Sequence, residues 1–197
     1  ENQKVRKLFA RQADRAEFQI EEDDAVLVVS TPEFSYTYDK LTGLFTKMVY
    51  QNQAFIERPV EFNIWRAPTD NDRVIKEVWR EAKYDRIVTR AYESEVKAGE
   101  REVKIETSLS VSAVYIQRIL NIKACWTIYS DGTVDADLKV EKDPIFPFLP
   151  RFGLRLYLPK SMAKVTYCGI GPVESYIDKK YAGYHGVFET DVKEMHE

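Results

Sequence analysis

The chain has 197 residues, with 29 Lys plus Arg against 32 Asp plus Glu and a net charge of −3, which excludes a strongly basic nucleic-acid binder as the default reading. Charged residues make up 31% and hydrophobic ones 44%, the balance of a folded chain rather than a disordered one, and 12 Tyr, 10 Phe and 3 Trp favour strands. No apolar run approaches the ~18 residues needed to span a bilayer, and neither a secretory leader nor an N-x-Ser/Thr sequon is present. These features read as a cytoplasmic protein without nucleic-acid or membrane partners. The chain starts at Glu1 without Met and stops at Glu197, which reads as a piece of something longer.

In chain order, residues 1–18 carry Lys4, Arg6, Lys7, Arg11 and Arg15 around Val5, Leu8 and Phe9, a short basic lead-in from a preceding domain. From Phe18 the period changes to two. Phe34, Tyr36 and Tyr38 alternate with Ser35 and Thr37, placing the aromatics on one face of a strand. Asp39-Lys40-Leu41-Thr42-Gly43 reads as a hairpin loop, and Leu44 to Tyr50 as the returning strand. Asp70, Asn71 and Asp72 offer N-cap side chains for one helix, in which Ile75, Val78, Trp79 and Ala82 recur at helical spacing up to about Asp85.

Strands follow almost continuously. Val103, Ile105, Thr107, Leu109 and Val111 share one face, and Ile116, Leu120, Ile122, Ala124, Trp126 and Ile128 share another. Asp131-Gly132 signals a hairpin into Val134, Ala136, Leu138 and Val140. A proline-punctuated connection over 143–150 leads to a one-faced strand of Phe152, Leu154, Leu156 and Leu158, and Gly169-Ile170-Gly171-Pro172 reads as a turn. Amphipathic strands of this kind must pack two sheets face to face, so the reading is one all-β, mainly antiparallel sandwich over 19–197 with one short helix.

Chemical signals are sparse. Cys125 and Cys168 read as buried small hydrophobes, with a single bridge as the alternative. Gly169-x-Gly171 lacks the third glycine and the strand–helix context of a dinucleotide site. Asp70-x-Asp72 begins like a calcium loop but continues with Val74, so capping is the better reading. His185 and His196 have no metal-ligand spacing, and His185 has no Ser or Cys context for a triad. Glu174 and Asp178 stand beside Lys179 and Lys180, where local charge pairing competes with a paired-carboxylate role.

Four ordered stretches carry a family resemblance. Phe62-Asn63-Ile64-Trp65-Arg66-Ala67-Pro68-Thr69-Asp70-Asn71-Asp72 resembles the N-x-W-R-A-P-T-D-N-D signature of glycoside hydrolase family 2 β-galactosidases, in their C-terminal small-chain domain. Arg151-Phe152-Gly153-Leu154-Arg155 resembles that domain's R-x-G-L-R strand, and Gly169 to Lys180 its G-x-G-P-x-E-N-Y-x-D-R turn. Tyr38 to Gly43 resembles its opening F-D-K-x-T-G. The chain departs from the pattern at Arg73-Val74, where the family has a glycine, at Ser175 in place of Asn, and at Lys179 in place of Arg.

The resemblance implies a galactose-mutarotase-like supersandwich, incomplete at its C-terminus. It implies a parent that hydrolyses terminal β-galactosides, lactose among them, by a retaining two-carboxylate mechanism. The family's catalytic glutamates and magnesium ligands lie in an upstream barrel, and none maps onto this chain. The expectation is therefore no catalytic residue and no metal ligand here; magnesium, with sodium as a second candidate, belongs to the parent. This piece would buttress the barrel and shape the pocket rim, with Arg66, Asp70, Asn71 and Asp72 as the residues nearest substrate. Arg66 and Asp70 could equally form a buried pair or cap that locks the loop. The implied partners are the remaining domains of the parent, a β-galactoside or galactose, and further copies in a homo-oligomer. Two other readings stand beside this one: a free-standing carbohydrate-binding module and, further off, a mutarotase-like enzyme.

Overall fold

The computed structural model describes residues 17–173 and 181–194. Among the described residues the chain is all-β and mainly antiparallel, with one α-helix. It forms two compact units divided between Tyr157 and Leu158. The lead-in expected over 1–18 lies outside the described residues but for 17 and 18.

The first unit packs a five-stranded sheet against a four-stranded one. Sheet one runs β1 (Gln19–Glu22), β2 (Val26–Ser30), β3 (Phe34–Asp39), β4 (Leu44–Tyr50) and β5 (Gln53–Ala54), each strand paired to the next. A short strand β6 (Glu61–Asn63) and the helix α1 (Ile75–Glu81) follow. Sheet two is the meander β7 (Ile87–Ala98), β8 (Glu102–Ala113), β9 (Leu120–Tyr129) and β10 (Val134–Lys142). Strand β11 (Gly153–Arg155) pairs with β6 as a two-stranded ribbon.

The period-two pattern decides which faces meet. Phe34, Tyr36 and Tyr38 are buried, with Ser35 and Thr37 outside them, and the inward row of β8 from Val103 to Val111 is buried throughout. Phe45 meets Trp126 edge-to-face at 5.4 Å between ring centroids, joining the two sheets in one core. The register between Thr37 and Tyr38 slips by one residue against β4, so Thr46 is extra and both Phe45 and Met48 turn inward. Ile116, expected at the head of β9, instead lies in the β8–β9 loop.

Two hairpin turns are clasped by the opposite sheet. The β3–β4 loop takes a left-handed residue at Gly43, and Leu41 O accepts a 2.7 Å hydrogen bond from Ala91 N of β7. A Cβ at Gly43 would come within 3.0 Å of Leu109 and 3.1 Å of Thr107. Reciprocally, the β9–β10 turn is left-handed at Gly132, whose carbonyl accepts a 2.7 Å bond from the Tyr36 hydroxyl. A Cβ there would meet the Tyr50 ring at 3.0 Å.

The second unit is the antiparallel pair β12 (Lys164–Gly171) and β13 (Tyr184–Asp191). Two expectations are corrected by these strands. Gly169 to Gly171 is the end of β12, paired with Gly186 to Tyr184, rather than a turn. Gly171 serves ring packing: a Cβ there would strike the Tyr167 hydroxyl and lie within 2.9 Å of the Phe188 ring. The expected strand of Phe152 to Leu158 is only the three residues of β11, and Phe152, Leu154 and Leu156 of the first unit are partly exposed. Glu174, Asp178 and His196 lie outside the described residues.

Gly43→Ala and Gly132→Ala are each expected to destabilise the fold by about 1–2 kcal/mol, from the positive φ and the close contact together. Gly153→Ala, whose Cβ meets nothing within 4 Å, is the control and should change little. Urea unfolding of the three variants checks this.

Burial pushes the Tyr36 phenol up to about 12, helped by Tyr50 and Asp131, and burial alone pushes Tyr84 to about 12. A phenol raised in the folded state contributes stability that is intact below its ordinary value of 10.0 and is lost as pH climbs toward 12. Unfolding free energy should therefore fall between about pH 10 and 12, and less steeply in Tyr36→Phe.

Candidate functional site

The signature stretch Asn63 to Asp72 leaves β6, turns, and delivers the chain to α1. Asn63, a buried side chain, fixes the turn by bonding both ways to Trp65: its Nδ2 donates to Trp65 O at 2.9 Å, and its Oδ1 accepts from Trp65 N at 3.2 Å. The same Oδ1 accepts from Arg155 Nη2 at 3.0 Å. The N-x-W-R and R-x-G-L-R stretches, 92 residues apart, thus meet at one amide.

Arg66 and Asp72 form a bidentate pair. Nη1 donates to Oδ2, and Nη2 donates to Oδ1 at 2.9 Å. Asp72 Oδ2 also accepts from Thr69 N at 2.8 Å and from the Thr69 hydroxyl at 3.0 Å. Both carboxylate oxygens are occupied, so Asp72 holds the loop rather than presenting a free ligand. The Arg66 guanidinium hydrogen bonds hold the Asp72 carboxyl below its ordinary range, with partial burial opposing and Thr69 assisting.

This corrects the expected capping. Asp70 to Asp72 is itself a turn of 3-10 helix begun at Thr69, and Asp72 reaches back to Thr69 instead of capping α1. The helix start at Val74 has no side-chain cap. At the other end Lys83 adopts left-handed φ, and Tyr84 N bonds back to Trp79 O at 3.1 Å, a Schellman closure without glycine.

Trp79 is the platform. It is fully buried, its Nε1 donates to Phe148 O at 3.0 Å, and the Arg66 guanidinium lies 5.4 Å from its ring centroid. Trp65 and Phe148 meet it edge-on at 6.5 and 5.6 Å. Arg66 and Asp72 are brought together on this platform, whereas Asp70 and Asn71 stand exposed at the loop tip. Beside the loop lies a cleft of about 410 Å³, lined among others by Glu61, Asn63, Trp65, Tyr84 and Arg155.

Asn63, Trp79 and Arg155 are organising residues that the sequence reading quoted without assigning a role. The available signal was the presence of Asn63 and Arg155 inside two separate signature stretches. The remaining candidates do not join this site. His185 is exposed on β13, and the cysteines are free, Cys125 half-buried and Cys168 exposed rather than buried. Among the described residues no group of three or more His, Cys, Asp or Glu is placed to hold a metal ion. No described helix is long and apolar enough to cross a membrane.

The first unit is thus a sandwich that carries an ion-paired loop beside a cleft. Comparison places it: residues 30–197 match the family described as "Beta galactosidase small chain", and the chain belongs to that family. It is 37% identical over 183 residues to a beta-galactosidase of Actinobacillus pleuropneumoniae, covering 93% of this chain and 18% of that protein. It is 33% identical over 189 residues to a beta-galactosidase of Staphylococcus xylosus, covering 94% and 19%. A beta-galactosidase of Alteromonas mediterranea is 28% identical over 196 residues, covering 89% and 18%. The chain therefore spans less than a fifth of the length of these curated relatives.

The Arg66–Asp72 pair is neither an open surface pair, which contributes under ~1 kcal/mol, nor a deeply buried one, whose breakage costs ~3–5 kcal/mol. Arg66→Gln is expected to cost about 2 kcal/mol in urea unfolding. In Asp72→Asn the acid limb of the stability profile should also flatten. A carboxyl lowered in the fold contributes stability that is present above its ordinary value of 3.8 and lost as pH falls through the lowered one.

Proposed function

We propose that this chain is the non-catalytic sandwich portion of a β-galactosidase whose parent hydrolyses terminal β-galactosides, lactose among them, in the cytoplasm. The observation that carries this reading is the family match over residues 30–197 together with relatives that are each more than five times as long as the segment matched. In the parent, two glutamates of another domain act as nucleophile and general acid in a retaining mechanism. Magnesium, and sodium if used, is held outside this chain. The chain buttresses the catalytic barrel, and homo-oligomer contacts belong to the assembled parent.

Within that frame the Arg66–Asp72 loop forms part of the pocket rim. The geometry supports a division of labour: Arg66 and Asp72 fix the loop through each other and Trp79, while Asp70 and Asn71 project from it and are available to sugar hydroxyls. Fixing a loop beforehand lowers the ordering cost when substrate arrives.

Titration of the 197-residue chain with galactose and lactose by NMR, with aryl-β-galactoside hydrolysis assayed on the same sample, tests this. Neither saturable binding nor turnover is expected. Saturable binding without turnover would favour a carbohydrate-binding module, and turnover lost in His185→Ala would place an active site inside this chain. In the full-length enzyme, Asp70→Ala and Asn71→Ala should raise KM for lactose about 3–10-fold with a smaller effect on kcat, as expected when hydrogen bonds to bound sugar are lost.

A further inference from the structure

A second constellation lies on the outer face of sheet two, and neither the family match nor the signature loop accounts for it. The register of β7 against β8 slips between Ala91 and Glu93, so Tyr92 is an extra residue and Tyr92 and Glu93 both point outward. A bulge of this kind re-aims a side chain at the cost of ladder hydrogen bonds. Here it lays Tyr92 over Ser110, whose Oγ lies 3.0 Å from the phenol oxygen and which is only 2% exposed although it sits on the outer face.

Two guanidiniums lie on the Tyr92 ring, with Arg118 Cζ 4.6 Å and Arg90 Cζ 5.6 Å from its centroid. Neither arginine pairs with a carboxylate among the described residues. Stacking on an aromatic face restrains a guanidinium while leaving its N–H groups available in the ring plane. Beside them opens a cleft of about 270 Å³, to which Ser108, Arg118, Asn121 and Lys123 contribute donors.

Lys123 stands directly opposite Lys139 across the β9–β10 pair. Like charges directly opposite one another destabilise a sheet, and an anion between them reverses the sign. The cleft also holds Glu93 and Glu141. Glu141 is engaged by Lys139 at 3.6 Å, so among the lining residues Arg118 and Lys123 outweigh Glu93. A guanidinium, an ammonium, a hydroxyl and an amide on one cleft offer more donors than a carboxylate needs, which one guanidinium satisfies edge-on, and suit the larger number of oxygens of a phosphate.

We propose that this cleft binds a small oxyanion of the phosphate class, held chiefly by Arg118 and Lys123. The site is independent of the pocket-rim reading and stands or falls without it.

The test is a titration of the 197-residue chain with inorganic phosphate at constant ionic strength, chloride being the balancing anion, following arginine Nε–Hε resonances. Saturable shifts at Arg118 are expected. Arg118→Gln and, separately, Lys123→Gln should weaken apparent affinity about tenfold, the loss of one charge-assisted bond, while Arg101→Gln outside the cleft leaves it unchanged. An acetate arm separates a free tetrahedral ion from a protein carboxylate: phosphate should saturate at lower concentration. Equal saturation by acetate, shifts no different from chloride, or affinity unchanged in both cleft variants would overturn the proposal.

Discussion

Placing the polar atom of a buried aromatic ring on a partner avoids a desolvation cost, and the first unit does this at its bulkiest fully buried rings, although Trp126 Nε1 is buried without a partner. Its four bulkiest fully buried side chains are Trp79, Tyr36, Tyr38 and Tyr84. Trp79 donates to Phe148 O, Tyr84 to Pro147 O, and Tyr36 to Gly132 O, while Tyr38 shares a 2.6 Å bond with Thr107 across the two sheets. A buried donor left without its acceptor costs about 1–3 kcal/mol, so each bond specifies which turn or strand lies over which ring. Tyr36 and Tyr38 thereby align sheet one with sheet two. Trp79 and Tyr84 tie α1 and its exit to the proline-rich connection over 143–150. The Arg66–Asp72 loop inherits its position from the Trp79 ring beneath it.

Much of this frame is legible in the sequence because strand burial has period two. The inward rows Phe34-Tyr36-Tyr38 and Val103 to Val111 can be read directly, as can the turns at Gly43 and Gly132. What escapes local reading depends on partners distant in the chain. Gly169 and Gly171 have the composition of a turn but lie in a strand, and at Gly171 the Tyr167 and Phe188 rings occupy the space a side chain would fill. The bulge at Tyr92 leaves no mark in local propensity. The three-residue β11 follows from how few residues pair with β6, which apolar alternation over 152–158 does not reveal.

The candidate site shows the same division. Arg66, Asp70, Asn71 and Asp72 are legible as a group because they share one signature stretch. Their separation into a locking pair and an exposed tip is not, since that depends on Thr69 reaching Asp72 and on Trp79 lying under Arg66. The helix-cap reading of Asp72 fails for the same reason: its oxygens face the preceding turn rather than the amides of α1. Asn63 and Arg155 join two signature stretches at one amide, so those motifs are coupled structurally before any role in chemistry is considered.

The central claim is that this sandwich supports chemistry performed elsewhere in the parent. Complementation measures it most directly: the remainder of the polypeptide and this 197-residue chain are purified separately, and aryl-β-galactoside kcat/KM is measured for each and for the mixture. The account predicts negligible hydrolysis by the chain, impaired hydrolysis by the remainder, and recovery on mixing. Full kcat/KM from the remainder alone, or turnover by the chain alone, would contradict it.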